Sequence, residues 1–75
     1  MTKKYMIKEL IKTWVKSSKT DYIKEQRYIY HDRVENYLDR AWTKEGIKII
    51  YDKVFNTGCD INFIIAKYTF SKFIF

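Results

Sequence analysis

The 75-residue sequence contains no proline, two glycines, one cysteine and one histidine. A lone cysteine, Cys59, cannot form a disulfide within the chain or supply a cysteine-based metal site, and it favours a reducing compartment. Two glycines cannot build a glycine-rich loop that cradles a phosphate, and no nucleotide-binding motif occurs. The single histidine, His31, has no second histidine with which to share a metal ion. We therefore expect a protein that is not an enzyme and that uses no metal or cofactor.

Long apolar runs are also missing from the sequence. No stretch approaches the roughly 18 apolar residues of a membrane-spanning helix, and the most apolar segment, 61–75, is interrupted by polar residues. Lysines recur throughout the first 16 residues, which leaves no apolar core for a secretory signal. The sequence therefore predicts a cytoplasmic protein without a membrane partner.

The residues that the chain does contain make it basic and rich in aromatic side chains. Aromatic residues make up 19% of the chain, and the formal net charge is +6. We expect one domain spanning residues 1–75, with a thin core, because a chain this short buries only roughly 60% of the surface that it exposes when unfolded. Such domains often self-associate or dock on a partner. Richness in Lys, Ile, Tyr, Asn and Phe without proline is typical of AT-rich genomes, such as those of phages and mobile elements.

Hydrophobic periodicity predicts an all-α bundle of three or four helices, at about 3–16, 19–42, 44–56 and 60–71. The second helix is the longest, and we expect it to form the spine of the bundle. Gln26 and Arg27 interrupt its apolar stripe near the start. The apolar residues predicted to share one face of this helix are Ile23, Tyr30, Val34, Tyr37, Leu38 and Ala41.

Helix ends are marked by short polar segments. Ser18 followed by Asp21 indicates the start of the second helix, and Thr43 is suited to cap the third. Gly58 provides a stop signal after the third helix, and Asp60 can cap the fourth. The fourth helix is the least defined, because residues 67–75 are also rich in strand formers and could be extended.

Positive charge is concentrated on the first helix. Residues 1–20 contain six lysines and one glutamate, which accounts for +5 of the net charge. Lysine side chains here could contact the phosphates of a nucleic acid without recognising its base sequence, or could simply form a solvated surface. The lysine stripe consists of Lys4, Lys8, Lys12, Lys16 and Lys19. The third and fourth predicted helices, joined by a short turn containing glycine, also share the outline of a helix-turn-helix motif.

A second candidate surface lies on the second helix, away from its apolar stripe. Its exposed apolar, tyrosine and arginine side chains would resemble an interaction hot spot, although packing against the first or fourth helix is the alternative. We call this surface the outer face, and it consists of Tyr22, Ile29, Arg33, Asn36 and Arg40. The C-terminal phenylalanines Phe70, Phe73 and Phe75 are expected either to form an interface or to complete the core.

His31, Asp32 and Arg33 are the only adjoining residues of catalytic type. Since successive side chains on a helix point about 100° apart, we expect them not to converge on one substrate. Cys59 is interpreted as a small buried side chain.

Two functional hypotheses follow from these patterns. The first is a non-enzymatic accessory or inhibitor protein of a phage or mobile element, docking on a protein of a nucleic-acid-handling complex such as a host defence system. The second is a small basic DNA- or RNA-binding protein, which uses either the helix-turn-helix outline or the lysine stripe. A homo-oligomer is compatible with both.

Overall fold

A computed structural model of the chain describes residues 1–70, and for Thr69 and Phe70 it describes the backbone alone. Within these residues there are four α-helices: α1 (Lys3–Lys16), α2 (Asp21–Ala41), α3 (Lys44–Phe55) and α4 (Ile61–Ile65). A π-helical turn, Ala66–Phe70, continues directly from α4. The predicted all-α bundle is confirmed. The extended alternative is wrong for residues 67–70, and the rest of that segment lies outside the described residues.

Threonine and aspartate side chains fix where the helices begin. Thr20 and Thr43 each accept a hydrogen bond from a backbone N–H three residues ahead, which satisfies one of the free donors in the first turn. Asp60 accepts from the N–H of Asn62 at the start of α4. The predicted caps at Thr43 and Asp60 are confirmed. The predicted start at Ser18 is wrong, because its hydroxyl donates instead to the Val15 carbonyl at the end of α1.

The centre of the bundle is α1, not α2 as expected. Helix α1 packs against α2, α3 and α4, and its buried residues are Met6, Ile7, Leu10, Ile11 and Trp14. Helix α2 buries two residues, Val34 and Leu38, although it is 21 residues long. The remaining core comes from Ile47 and Ile50 of α3 and from Ile61, Ile64 and Ile65 of α4. The length of α2 suggested a spine, but the first half of this helix extends beyond the core.

The contacts between helices hold α1 and α2 antiparallel. Near the start of α1, the Lys3 Nζ donates to the Asp39 carbonyl at 2.6 Å. At the opposite end, Arg27 of α2 reaches the Trp14 carbonyl of α1. Beyond α2, the Trp42 indole N–H donates to the Tyr68 carbonyl at 3.1 Å, and the two rings meet edge to face. The end of α2 is therefore attached to the π-helical turn as well as to α1.

Within the described part of the chain, no helix is both long and apolar enough to cross a bilayer.

Candidate functional site

The outer face of α2 is exposed in the structure. Tyr22 is 70% exposed and Ile29 is 56% exposed. Arg33, Asn36 and Arg40 are exposed as well. The alternative, in which these residues pack against another helix, is therefore wrong. A regular helix alone brings these five side chains to one side, because their positions fall close together at 100° per residue.

Two further tyrosines are exposed on the first half of α2. Tyr28 is 69% exposed, and Tyr30 is 45% exposed. Tyr30 was predicted to lie in the buried stripe, and this prediction is wrong. The guanidinium of Arg33 lies 5.4 Å from the centre of the Tyr30 ring, at the distance of a cation–π contact. The first half of α2 therefore presents aromatic rings, an isoleucine and an arginine to solvent.

The interruption of the apolar stripe at Gln26 and Arg27 explains why Tyr30 is not buried. Both interrupting residues are half-buried, on the side of α2 that faces α1. Arg27 Nη1 donates to the Trp14 carbonyl at 2.7 Å, and its guanidinium lies 4.8 Å from the Trp14 ring centre. Burial lowers the pKa of Arg27 from its ordinary value, and the Asp60 carboxylate opposes this shift. These contacts of Arg27 with Trp14 hold α2 against α1 where apolar packing ends. We call them the polar anchor.

A hollow adjoins the outer face beside this anchor. Its volume is about 330 Å³, within the range of ligand-sized pockets. Arg33 belongs both to the hollow and to the outer face. The hollow is lined by Trp14, Gln26, Arg27, Tyr30, Arg33 and Val34. A side chain of a partner that contacts the outer face could insert here.

The lysine stripe is fully solvent-facing. Lys4, Lys8, Lys12, Lys16 and Lys19 are all exposed. The carboxylate contacts found among the described residues join Lys3 to Asp39 and His31 to Asp32, and none of the five stripe lysines has a carboxylate partner there. These ammonium groups are therefore available to an anionic partner.

A groove separates the lysine stripe from α2. It has a volume of about 380 Å³ and runs between α1 and α2. Its lining residues are Lys8, Ile11, Lys12, Val15, Lys16, Tyr28, His31 and Glu35. This groove was not predicted, because its two walls belong to different helices.

His31 and Asp32 come together in spite of their adjacent positions. His31 Nδ1 lies 3.2 Å from Asp32 Oδ1, although successive side chains on a helix point about 100° apart. With Glu35, they place three potential ligand atoms within 4.8 Å of one another. Asp32 is exposed, and acidic groups commonly gather on helix surfaces without a metal. Arg33 points elsewhere, over Tyr30.

The predicted turn between α3 and α4 is present, with Gly58 at a φ of +76°. Helix α4 is five residues long and buries its isoleucines. Its exposed side includes Phe63, which is 61% exposed, and Asn62 is half-buried against Asp60. Cys59, in the turn, is half-buried against the core rather than fully buried.

The candidate interface at the C-terminus lies outside the described residues. This applies to the side chain of Phe70 and to Phe73 and Phe75.

Comparison of this chain with protein-family models, curated proteins and solved structures gives no match. Function is therefore inferred from the surface chemistry of residues 1–70.

Proposed function

We propose that this protein is a small, non-enzymatic accessory or inhibitor protein that docks on another protein through the outer face of α2. The partner we propose belongs to a nucleic-acid-handling complex, such as a host defence system. The composition supports an origin in a phage or mobile element, and the scarcity of cysteine supports action in the host cytoplasm.

One observation carries this proposal. Residues 21–33 of α2 contribute no buried side chain, yet on and beside the outer face they expose three large hydrophobic residues, Tyr22, Ile29 and Tyr30. Exposed apolar side chains with polar surroundings often mark an interaction site.

The chemistry of this surface suits a protein partner. Tyrosine and arginine are enriched among the residues that dominate binding energy, since each combines a large contact area with hydrogen-bonding groups. The outer face offers Tyr22 and Arg33, and the adjoining hollow can accept an anchoring side chain from the partner. The Arg33 guanidinium is already held over Tyr30, so less side-chain freedom is lost on binding.

A matched pair of isoleucines gives a sharp test. Ile29 lies on the outer face and is 56% exposed, whereas Ile49 lies on α3 and is 58% exposed. Tagged wild-type protein, Ile29→Asp and Ile49→Asp would be used to capture partners from nuclease-treated lysate of the host cell. We expect a stoichiometric protein partner to be captured by wild type and Ile49→Asp and to be absent with Ile29→Asp. Equal capture by all three proteins, or capture that occurs only in untreated lysate, would contradict the proposal.

Nucleic acid is the second candidate ligand, and the exposure of all five stripe lysines favours it. Replacing Lys8, Lys12 and Lys16 with Gln should weaken duplex binding and reduce the slope of log K against log salt by about 0.9 for each phosphate that is no longer neutralised. Replacing Lys44, Lys48 and Lys53 of α3 with Gln makes the same change in net charge and serves as the control. Filter binding at several salt concentrations measures both. Absence of binding by wild type at low salt would eliminate this candidate.

A further inference from the structure

The groove between α1 and α2 combines an apolar floor with a basic rim. Ile11 and Val15 of α1 form the floor, and Ile11 is only 5% exposed. Tyr28 of α2 forms part of the opposite wall. The rim on the α1 side is formed by Lys8, Lys12 and Lys16, which recur every four residues along one side of the helix.

Two helices packed side by side leave a groove of the kind that a third helix can fill. Elsewhere on α1, such positions are occupied by α3 and α4, which bury Met6 and Leu10 with their own isoleucines. On the side of Val15, nothing among the described residues covers the groove. Amphipathic helices bind grooves of this kind by inserting apolar side chains at spacings of three and four residues.

Charge decides what kind of helix would fit. The three rim lysines have no carboxylate partner among residues 1–70, so an occupant with acidic side chains on the α1 side would gain favourable pairs. Such pairs favour the encounter and fix the orientation of the occupant. The chain's own segment 71–75 contains Lys72 and no acidic side chain, so its charge does not complement the rim.

The opposite wall argues against a nucleic acid in this groove. Glu35 lines the groove and is half-buried there. A neighbouring hollow that also includes Glu35 contains Asp39. A phosphate backbone along the groove would approach both carboxylates, whereas a peptide helix can place acidic groups on one side and neutral or basic groups on the other.

We propose that the groove between α1 and α2 is a receptor for an acidic amphipathic helix of a partner protein. Apolar side chains of that helix contact Ile11, Val15 and Tyr28, and its acidic side chains face Lys8, Lys12 and Lys16. This site is separate from the outer face and does not depend on what the outer face binds.

The probe is an acetylated helical peptide of roughly 16 residues, about four turns, with leucine at i, i+3, i+4 and i+7 spacing and glutamate along one flank. A second peptide replaces every glutamate with glutamine. An oligothymidylate of equal charge is the nucleic-acid probe. Binding is followed by fluorescence anisotropy, and the site is mapped by amide chemical shifts in ¹⁵N-labelled protein.

We expect the acidic peptide to bind and to shift the amides of Ile11, Val15, Tyr28 and His31, with weaker binding by the glutamine peptide. Replacing the three rim lysines with Gln should weaken binding at least about fivefold, and the α3 triple variant should change it less than about twofold.

Two equally exposed tyrosines provide the second control. Tyr28 and Tyr22 are 69% and 70% exposed, but Tyr28 lines the groove and Tyr22 lies on the outer face. Tyr28→Ala should weaken peptide binding, whereas Tyr22→Ala should not. Circular dichroism checks that each variant is folded.

Five results would overturn the proposal. Three of them are no binding of the acidic peptide at millimolar concentration, equal binding of both peptides, and equal weakening by Tyr22→Ala and Tyr28→Ala. Tighter binding of oligothymidylate with the same shifted amides would identify a nucleic-acid groove instead. A dimer that dissociates when the rim lysines are replaced would assign the groove to a second copy of the chain. The effect of Ile29→Asp on the outer-face partner is independent of every one of these outcomes.

Discussion

The two halves of α2 differ in how they are attached to the rest of the protein. Residues 34–41 bury Val34 and Leu38 against the core, whereas residues 21–33 have no buried side chain. The first half is joined to α1 by the hydrogen bond and ring contact of Arg27 with Trp14. A polar anchor needs little apolar surface, so the tyrosines and Ile29 remain available for binding. The same helix thus stabilises the fold with one half and presents a surface with the other.

The largest difference between the halves should appear when an aliphatic side chain is truncated in each. Leu38 has no exposed surface, so Leu38→Ala should lower the free energy of unfolding by about 2–5 kcal/mol through reduced burial and a residual cavity. Ile29→Ala should change it by about 0.5 kcal/mol or less, because Ile29 is exposed. Urea unfolding followed by circular dichroism measures both. Similar decreases for the two variants would mean that the first half of α2 is also part of the core.

Removing the anchor should have an intermediate effect that is concentrated in the first half of α2. Arg27→Met deletes a charge-assisted hydrogen bond of 2.7 Å and a cation–π contact, which together contribute about 1–2 kcal/mol at this half-buried site. Ser17 also donates to the Trp14 carbonyl, so that acceptor is not left unpaired. Amide hydrogen exchange should accelerate more in residues 21–33 than in 34–41.

Arg33→Met is the matched control for this variant. It removes only the exposed contact with Tyr30, so its effect on stability should be about 0.5 kcal/mol. Uniform acceleration of exchange along α2 after Arg27→Met would show that the anchor stabilises the whole helix rather than its first half.

Effects of about 1 kcal/mol or less should come from the helix caps. Thr43→Ala removes the cap of α3, whose Ile47 and Ile50 are buried, and should lower the free energy of unfolding by about 1 kcal/mol. Thr20→Ala removes the equivalent bond of α2, where the first turns bury nothing, so local fraying should limit the decrease to about 0.5 kcal/mol. Thermal unfolding and amide exchange near Ile23 measure the two effects. A larger global decrease for Thr20→Ala would contradict the division of α2.

Much of the fold follows from local patterns. Hydrophobic periodicity identified the four helices, and the caps at Thr43 and Asp60 set the starts of α3 and α4. The start of α2 was misplaced, since Ser18 and Thr20 are both suitable caps and only the path of the chain between helices distinguishes them. For the outer face, periodicity placed its five residues on one side of α2 but left open whether another helix covers them, and the structure shows them exposed.

Contacts between helices lie beyond what such patterns determine. Periodicity shows that Tyr30 and Val34 lie on related sides of α2, but not that the core ends between them. Gln26 and Arg27 showed in the sequence that the apolar stripe is interrupted. The structural consequence depends on another helix, because Arg27 donates to the Trp14 carbonyl of α1. Likewise, the lysine stripe could be predicted from the sequence of α1 alone. The groove beside it could not, because Tyr28 and Glu35 of α2 form its other wall.

The sequence by itself determined the helical class and most helix ends, because each depends on residues close together in the chain. The tertiary structure alone decided that α1 is the central helix, that the first half of α2 is held by Arg27, and that a groove with a basic rim lies between α1 and α2. These features depend on which helix covers which surface, and that choice is made by packing between residues far apart in sequence.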